Sequence, residues 1–287
     1  MINILIYGNK GYIARYLQKY LLQHENVKIL ISKFDKITNE EQVFNDIFEL
    51  KPDRIISCIG LVKTKTCIST SFLNDDKFLV DNIKNNLYIH ILISNACLKH
   101  NIHFTYVGTG CIYSSKTDLL FKEDDDPNFF NNKYSIIKGF TDQLLSLNKD
   151  NILILRLRQC LNNDLEDQNF LNKFLKFNKV SDIQNSFTVI PSIFPIISKL
   201  ILEKKCGKFN CVNKGSISVK EIVEIFNINE QLIMNRDFVY ENFANNVLSS
   251  KKLEELYDIE NIKEAILKLK EDFSIINQLE NEHLKNI

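Results

Sequence analysis

Tyr134 and Lys138 are the two side chains whose types and spacing point most directly to chemistry. Apolar residues recur at helical spacing around them, so the pair is expected one turn apart on one face of an amphipathic helix. An ammonium group beside a phenol favours the phenolate, so we expect the pKa of Tyr134 to lie below its usual value of about 10. Such a phenol would transfer protons near neutral pH. A surface Tyr and Lys with this spacing are also common, so the pair alone does not decide.

A hydroxyl and a thiol precede this helix. An apolar run ends in Thr109-Gly110-Cys111, which predicts Thr109 at the end of a strand that faces the helix, where its hydroxyl could hold a substrate carbonyl. Strand alternation places Cys111 on the same face as Thr109 if the strand continues that far. The alternative for Cys111 is a packed core thiol, because free cysteine is among the most buried residue types.

The amino terminus has the order of elements that positions a dinucleotide. Residues 2–7 form an apolar run, which predicts a buried strand, and a glycine-containing turn then leads into a helical pattern. In the spacing G-x-x-G-x-x-A, the glycines permit a tight turn and close approach of the backbone to a pyrophosphate at the helix amino terminus. The cofactor contacts predicted here are Gly8, Lys10, Gly11, Tyr12 and Ile13.

Two more strand ends complete the predicted cofactor site. The second strand, residues 27–32, ends in Ser32 and is followed by Lys33, with an acidic residue only later. A basic residue here tolerates a 2′-phosphate, so the sequence favours NADPH, with NADH as the alternative; a solvated charged loop is an equally good interpretation of Lys33. The third strand, residues 54–59, is expected to approach the cofactor through Cys58, Ile59 and Gly60.

Strands and helices alternate over residues 1–160, which predicts an α/β fold, a Rossmann-type doubly wound parallel sheet that binds NAD(P). Residues 161–287 lose this alternation and include a capping box, Ser218 with Glu221, and a short strand at 208–212. We expect them to form a smaller carboxyl-terminal substrate-binding lobe over the strand ends, either separate from the first domain or interleaved with it.

Composition excludes several function classes. The 287 residues carry no net charge and the pI is near 6.9, which argues against nucleic-acid and anionic-membrane partners. No apolar run approaches the roughly 20 residues of a membrane span, and no signal peptide is expected. Seven cysteines without a C-x-x-C spacing indicate reduced thiols of a cytoplasmic protein, and five histidines without a ligand spacing predict no metal.

Taken together, these motifs resemble the extended short-chain dehydrogenase/reductase family. Gly8-x-x-Gly11-x-x-Ala14 is similar to the family's cofactor loop, and Thr109 with Tyr134-x-x-x-Lys138 is similar to its catalytic triad. Within the family, the chain looks like the bifunctional 3,5-epimerase/4-reductases of UDP-L-rhamnose synthesis, giant-virus members included. The stretches that carry this narrower likeness are Thr109–Tyr113, Phe121–Asp124, Pro127–Phe129, Leu155–Arg158, Asn169-Phe170, Lys173 and Asn185-Ser186. The likeness loosens beyond residue 215, and Ser57-Cys58-Ile59-Gly60 departs from the Asn-Ala-Ala-Gly common in the family.

The resemblance implies an NADPH-dependent enzyme that converts UDP-4-keto-6-deoxy-D-glucose to UDP-L-rhamnose by 3,5-epimerisation and then 4-keto reduction. It assigns the proton transfers at C3 and C5 to Cys111 and a lysine of the substrate lobe, Lys173, with Lys179 as the alternative. It assigns reduction to Thr109, Tyr134 and Lys138. The implied substrate-binding residues are Asn82, Asn128, Phe129, Arg158, Asn169 and Asn185. A homodimer is compatible with this interpretation, as is the host-cell cytoplasm if the protein is viral.

Two other functions stay open from the sequence. A 4-keto reductase that relies on a separate epimerase would not need the thiol of Cys111. A non-enzymatic NADP-binding regulatory subunit, which also occurs in this family, usually lacks the catalytic pair that Tyr134 and Lys138 provide here.

Overall fold

The computed structural model describes residues 1–62, 70–117, 119–148, 150–227 and 231–272. Ten strands are assigned in these ranges: β1 (Ile2–Tyr7), β2 (Val27–Leu30), β3 (Arg54–Ser57), β4 (His103–Thr109), β5 (Leu120–Phe121), β6 (Ile152–Leu157), β7 (Lys179–Val180), β8 (Gly207–Asn210), β9 (Leu232–Ile233) and β10 (Val247–Leu248). The α-helices bounded within the same ranges are α1 (Tyr12–Leu21), α2 (Glu40–Leu50), α3 (Leu79–Ile83), α4 (Ile89–Lys99), α5 (Lys133–Ser146), α6 (Phe170–Lys176), α7 (Ile190–Leu202), α8 (Val219–Ile225), α9 (Arg236–Asn242) and α10 (Lys251–Glu254). Residues 262–272 are also helical.

Six strands form one parallel sheet in the order β2-β1-β3-β4-β6-β8. Its central strands β3, β4 and β6 are largely buried because helices cover both faces, α1 and α7 on one side and α2, α4 and α5 on the other. The strand order reverses beside β1, so the carboxyl ends of β1 and β3 lie where ligands bind in such sheets. The predicted doubly wound α/β fold is confirmed.

The carboxyl-terminal half contributes to the sheet as well as to a second core. The strand predicted at 208–212 is β8, which pairs with β6 through Leu155 and Phe209 after α7 has crossed the sheet. A separate hydrophobic cluster joins α6, α8 and the helix at 262–272, and α8 begins with the predicted capping box of Ser218 and Glu221. The sheet and the helices that cover it therefore include α7 and β8, which lie beyond residue 160. The domain boundary expected near residue 160 stays a prediction.

The apolar spacing of residues 78–100 predicts one long helix, but the structure interrupts it. A single π-helical turn, Lys84–Tyr88, separates α3 from α4, and turns of this kind are frequent at functional sites. Within it, the amide of Asn86 donates to the carbonyl of Leu61 at 3.0 Å and accepts from its N–H at 3.1 Å. The turn therefore fixes the segment that follows β3. The sequence also predicts a polar loop at 64–73, of which residues 64–69 lie outside the described part of the chain.

None of the helices in the described part of the chain is long and apolar enough to cross a membrane.

Candidate active site

Thr109, Tyr134 and Lys138 converge at the carboxyl end of β4. Thr109 is the last residue of β4, as predicted, and α5 begins beside it because Asn132 caps the helix by accepting from the Ser135 N–H at 2.7 Å. Tyr134 lies in the first turn of α5 and Lys138 one turn later. Lys138 is only 4% exposed, and its Nζ lies 4.5 Å from the ring centroid of Tyr106 on β4. A cation over an aromatic face is attracted by the ring quadrupole, so Tyr106 helps to hold this ammonium group.

The expected direction of the Tyr134 pKa shift is wrong. Burial raises the pKa of Tyr134 above its usual value, the charge of Cys111 acts in the same direction, and a hydrogen bond with Thr109 opposes both. Removal of the phenol from water therefore outweighs any effect of the neighbouring lysine. Tyr134 is protonated at neutral pH, which is the form that donates a proton to a carbonyl oxygen.

Lys138 has the perturbed pKa of a functional group. Burial lowers its pKa from 10.5 to about 7, and Asp142, one turn further along α5, acts in the opposite direction. A lysine that changes its charge near neutral pH is a common feature of catalytic sites. Asp142 itself is held by Arg156 of β6, whose Nε and Nη2 donate to its carboxylate at 2.8 and 2.6 Å.

Cys111 lies beside the triad but not on the strand. β4 ends at Thr109, so the alternation that would have placed both side chains on one strand face stops before Cys111. A turn brings the residue back instead, with its N–H donating to Thr109 Oγ1 at 3.1 Å. The sulfur of Cys111 accepts from Nη1 of Arg158, which follows β6, at 3.1 Å. The thiol is half-buried and has a charged neighbour, unlike a packed core cysteine.

The predicted cofactor loop forms a suitable phosphate site. Gly8 follows β1 with a φ of +75°, and a Cβ there would lie 2.9 Å from the backbone of Cys58 and Ile59. The turn closes with the Gly11 N–H donating to the Gly8 carbonyl at 2.9 Å. The first turn of α1 carries no acidic residue and no side-chain cap, so its N–H groups stay available to a pyrophosphate. The residues present fit a nicotinamide dinucleotide.

Two lysines lie in the chain segments expected to border the 2′-phosphate. β2 ends at Leu30, two residues earlier than predicted, and Ser32 Oγ accepts from the N–H of Phe34 at 3.0 Å. Lys10 of the glycine loop lies 3.5 Å from Asp35, which brings the loop after β2 next to the glycine turn. Lys33 forms an exposed ion pair with Glu49. β3 also ends early, at Ser57, so Cys58, Ile59 and Gly60 form a loop instead of a strand end.

The predicted substrate residues fall into two groups. Asn185 lies near the thiol, because its Oδ1 accepts from Arg158 Nη2 at 2.8 Å. Asn169 has a structural role instead: it is fully buried, caps α6 and uses its amide on the backbone of residues 162–164. Its hydrogen-bonding capacity is thereby used within the chain, which argues against a substrate contact.

The remaining predicted residues have recorded contacts with other parts of the chain or are simply buried or exposed. Asn82 is buried and accepts from Asn86, Phe129 is buried, and exposed Asn128 makes two hydrogen bonds with the backbone of Ser114. Lys173 is half-buried on α6, with Nζ 4.4 Å from the ring centroid of Phe170, whereas Lys179 is exposed on β7. Their roles stay predictions.

One cluster next to the cofactor loop was not predicted. The hydroxyls of Tyr12 and Tyr16 donate to Asp164 Oδ2 at 2.8 and 2.7 Å, and Arg15 pairs with Glu166. These contacts hold the segment that contains Asp164 and Glu166 against the first part of α1. The sequence did contain one sign of this cluster, two tyrosines four residues apart on an amphipathic helix. Their shared partner, Asp164, is about 150 residues away in the chain, so no local pattern identifies it.

Within the described ranges, no group of three or more His, Cys, Asp or Glu side chains is placed to hold a metal ion.

Comparison with known proteins agrees with this geometry. Residues 4–157 match the NAD dependent epimerase/dehydratase family. The chain belongs to this family. The family therefore confirms a nicotinamide dinucleotide as the cofactor, in agreement with the glycine turn and α1.

A giant-virus protein and a plant enzyme are similar over nearly their whole lengths. Protein L780 of Acanthamoeba polyphaga mimivirus is 33% identical over 290 residues, which cover 93% of this chain and 98% of that protein. The crystal structure of L780 UDP-rhamnose synthase matches with a TM-score of 0.87 and 32% identity, covering 94% of this chain and 99% of that chain. The bifunctional dTDP-4-dehydrorhamnose 3,5-epimerase/dTDP-4-dehydrorhamnose reductase of Arabidopsis thaliana is 26% identical over 287 residues, 93% of this chain and 91% of the plant enzyme. The relatives are enzymes, which confirms the prediction of an enzyme.

Proposed function

We propose that the protein converts UDP-4-keto-6-deoxy-D-glucose to UDP-L-rhamnose, first by epimerisation at C3 and C5 and then by NADPH-dependent reduction at C4. The observation that carries the proposal is the position of Cys111, whose N–H bonds the triad residue Thr109 while its sulfur contacts a buried arginine. Reduction alone does not need such a thiol. The similarity to the mimivirus UDP-rhamnose synthase and to the plant bifunctional enzyme supports the same reaction.

The triad suits the reductive step. In this proposal Thr109 and Tyr134 hold the C4 carbonyl oxygen, and protonated Tyr134 supplies the proton that this oxygen needs. Bound NADPH would supply the hydride that adds to C4. Lys138, buried one turn further along α5, contributes a positive charge below about pH 7 that stabilises the developing negative charge.

Epimerisation uses the same carbonyl. The C–H bonds at C3 and C5 are acidic because each is next to C4=O, and inversion requires one group to remove a proton and another to return one on the opposite face. We assign these roles to Cys111 and Lys173. Thr109 and Tyr134 would hold the enolate oxygen in both epimerisations, which explains why one site can serve two activities.

NADPH is the proposed cofactor in preference to NADH. Lys10 and Lys33 lie at the two chain segments that border the expected 2′-phosphate, and each forms an exposed ion pair, Lys10 with Asp35 and Lys33 with Glu49. A basic site of this kind accepts the extra phosphate of NADPH.

A homodimer through α4 and α5 is part of the proposal. Five large apolar side chains near or on these helices are strongly exposed: Tyr88, Leu98, Phe140, Leu144 and Leu147. Tyr88, Leu98, Leu144 and Leu147 line one surface depression, and exposed apolar patches mark interaction sites. Light scattering should give twice the chain mass, and Leu144→Asp should shift the protein towards the monomer; a monomeric unmodified protein would contradict the dimer. We place this assembly in the cytoplasm, where the free thiols stay reduced.

The reaction is tested by incubating the protein with NADPH and each of UDP-4-keto-6-deoxy-D-glucose, its dTDP analogue and a GDP-4-keto-6-deoxyhexose, and identifying the products by NMR. UDP-L-rhamnose is the expected product. A 6-deoxy sugar with unchanged C3 and C5 would identify a reductase that lacks epimerase activity. Binding of NADPH without turnover of any substrate would identify a regulatory protein.

A further inference from the structure

Arg158 is a buried cation next to the reactive thiol. It follows β6, is 1% exposed, and its guanidinium donates to Cys111 Sγ at 3.1 Å, to Asn185 Oδ1 at 2.8 Å and to the carbonyl of Ala244. Its Nε is buried without a hydrogen-bond partner. The guanidinium cannot lose its charge in a protein, so this position holds a fixed positive charge away from water.

Arg156, two residues earlier, shows what a buried arginine ordinarily requires. Its Nε and Nη2 both donate hydrogen bonds to the carboxylate of Asp142, which is also buried. Among the ion pairs of the described ranges, none includes Arg158. An unpaired buried charge is strongly unfavourable, so a negative group is expected at Arg158. Of its three bonded partners, only the sulfur of Cys111 can become an anion.

The contact is held by a rigid framework. Asn185 Oδ1 accepts from both Arg158 and the N–H of Asn246, and the amide of Asn246 donates to the carbonyl of Gly110 at 3.0 Å. A Cβ on Gly110 would lie 2.5 Å from Leu248 and 3.4 Å from Cδ of Arg158. Gly110 is therefore packed against Leu248, and the hydrogen bonds of Asn185 and Asn246 link the arginine to the turn that carries Cys111.

Three other titratable groups face this sulfur. Burial is the main cause of the shifted pKa values of Tyr134, Lys138 and Cys160, and the charge of Cys111 is a secondary cause in all three. Cys111 therefore lies within electrostatic reach of the triad, and Arg158 is the cation that contacts it directly.

We propose that Arg158 is the positioning residue of Cys111: its guanidinium holds the sulfur beside Thr109 and stabilises its thiolate, so that Cys111 is the group that removes protons. The inference rests on the proposed epimerase function. In the step, the C–H bond at C3 or C5 breaks, an S–H bond forms on Cys111, and the electron pair moves to the C4 oxygen held by Thr109 and Tyr134. Lys173 gives a proton to the opposite face of the carbon while the electron pair on the C4 oxygen re-forms the C4=O double bond, and Lys173 then takes a proton from solvent. Cys111 then releases its proton to solvent, which restores the ion pair with Arg158.

Alkylation by iodoacetamide tests the pairing without substrate, because only the thiolate reacts. The rate at Cys111 is followed by mass spectrometry of its peptide across a range of pH, with half-exposed Cys206 as the reference within the same protein. In Arg158→Met the half-maximal rate at Cys111 should move to higher pH. The rate at pH 7 should fall roughly ten- to a hundredfold, the factor for loss of a hydrogen bond to a charged group. Arg158→Lys should restore part of the effect, and Cys206 should not change.

Asn185→Asp gives a second perturbation that keeps the size of the side chain. It places a carboxylate on the guanidinium, which then competes with the sulfur for the same charge, so the Cys111 profile should again move to higher pH. If Arg158→Met does not fold, this variant decides alone. An unchanged profile in a folded variant would overturn the inference, and a weaker affinity for UDP with that unchanged profile would instead make Arg158 a diphosphate ligand.

The pairing of Arg158 with Cys111 and the proposed epimerase function can be refuted independently of each other. A pH profile that depends on Arg158, in a protein that makes no L-rhamnose, would leave the ion pair standing and remove the epimerase function. In the active protein, Arg158→Met should slow exchange of the C3 and C5 protons with solvent more than it slows reduction of a 4-keto sugar that already has the L configuration.

Discussion

Replacement of Gly8 by alanine should destabilise the fold and weaken cofactor binding together. Two costs add at this position. A left-handed backbone such as φ = +75° costs an L-residue about 1–2 kcal/mol. The new Cβ would also lie 2.9 Å from the backbone of Cys58 and Ile59. That backbone is tied to β1, since the Cys58 N–H donates to the Tyr7 carbonyl at 2.9 Å, so overpacking should add roughly 1–3 kcal/mol.

Gly207→Ala separates the two costs. Gly207 has a φ of +89°, but a Cβ there would meet only Lys252 Nζ, at 3.7 Å. Urea denaturation should therefore show a loss of about 1–2 kcal/mol for Gly207→Ala and roughly 2–5 kcal/mol for Gly8→Ala. NADPH titration should show at least about tenfold weaker binding for Gly8→Ala only, because a tenfold change needs only about 1.4 kcal/mol of the added strain. Equal losses of stability in the two variants would refute the collision with the chain after β3.

Three other predictions concern the site itself. Tyr134→Phe should abolish reduction with little change in NADPH affinity, since only the proton donor is lost; turnover at the normal rate would rule out the triad assignment. The rate of reduction should fall as the pH rises through about 7, because Lys138 loses its proton there, and a pH–rate profile measured for a fixed substrate should show a flat acid side. Lys33→Asp should weaken NADPH binding and spare NADH binding, and equal affinity of the unmodified protein for both cofactors would remove the basis of the NADPH preference.

The order of elements was predictable because local patterns determine it. The strands before Gly8 and before Thr109, and the helix that carries Tyr134 and Lys138, follow from apolar runs and periodicity, and all lie where expected. The family motifs at these places are short in sequence, so a single chain reveals them.

The electrostatics of the site was not predictable from spacing. The lysine one turn from Tyr134 suggested a lowered phenol pKa, but burial dominates, and burial depends on how β4, α5 and the segment after β3 pack together. The pairing of Cys111 with Arg158 joins residues 47 positions apart, and its fixed geometry depends on Asn185 and Asn246 from two further segments. No local pattern contains such contacts.

Solvent deuterium incorporation during turnover tests the central proposal most directly. With UDP-4-keto-6-deoxy-D-glucose and NADPH in deuterated water, the product should be UDP-L-rhamnose carrying deuterium at C3 and C5 and protium from NADPH at C4. Cys111→Ala should give no deuterium at C3 or C5 with this substrate, and it should still reduce a 4-keto sugar that already has the L configuration. A product without deuterium at C3 and C5 from the unmodified protein, or normal incorporation by Cys111→Ala, would contradict the assignment of epimerisation to this thiol.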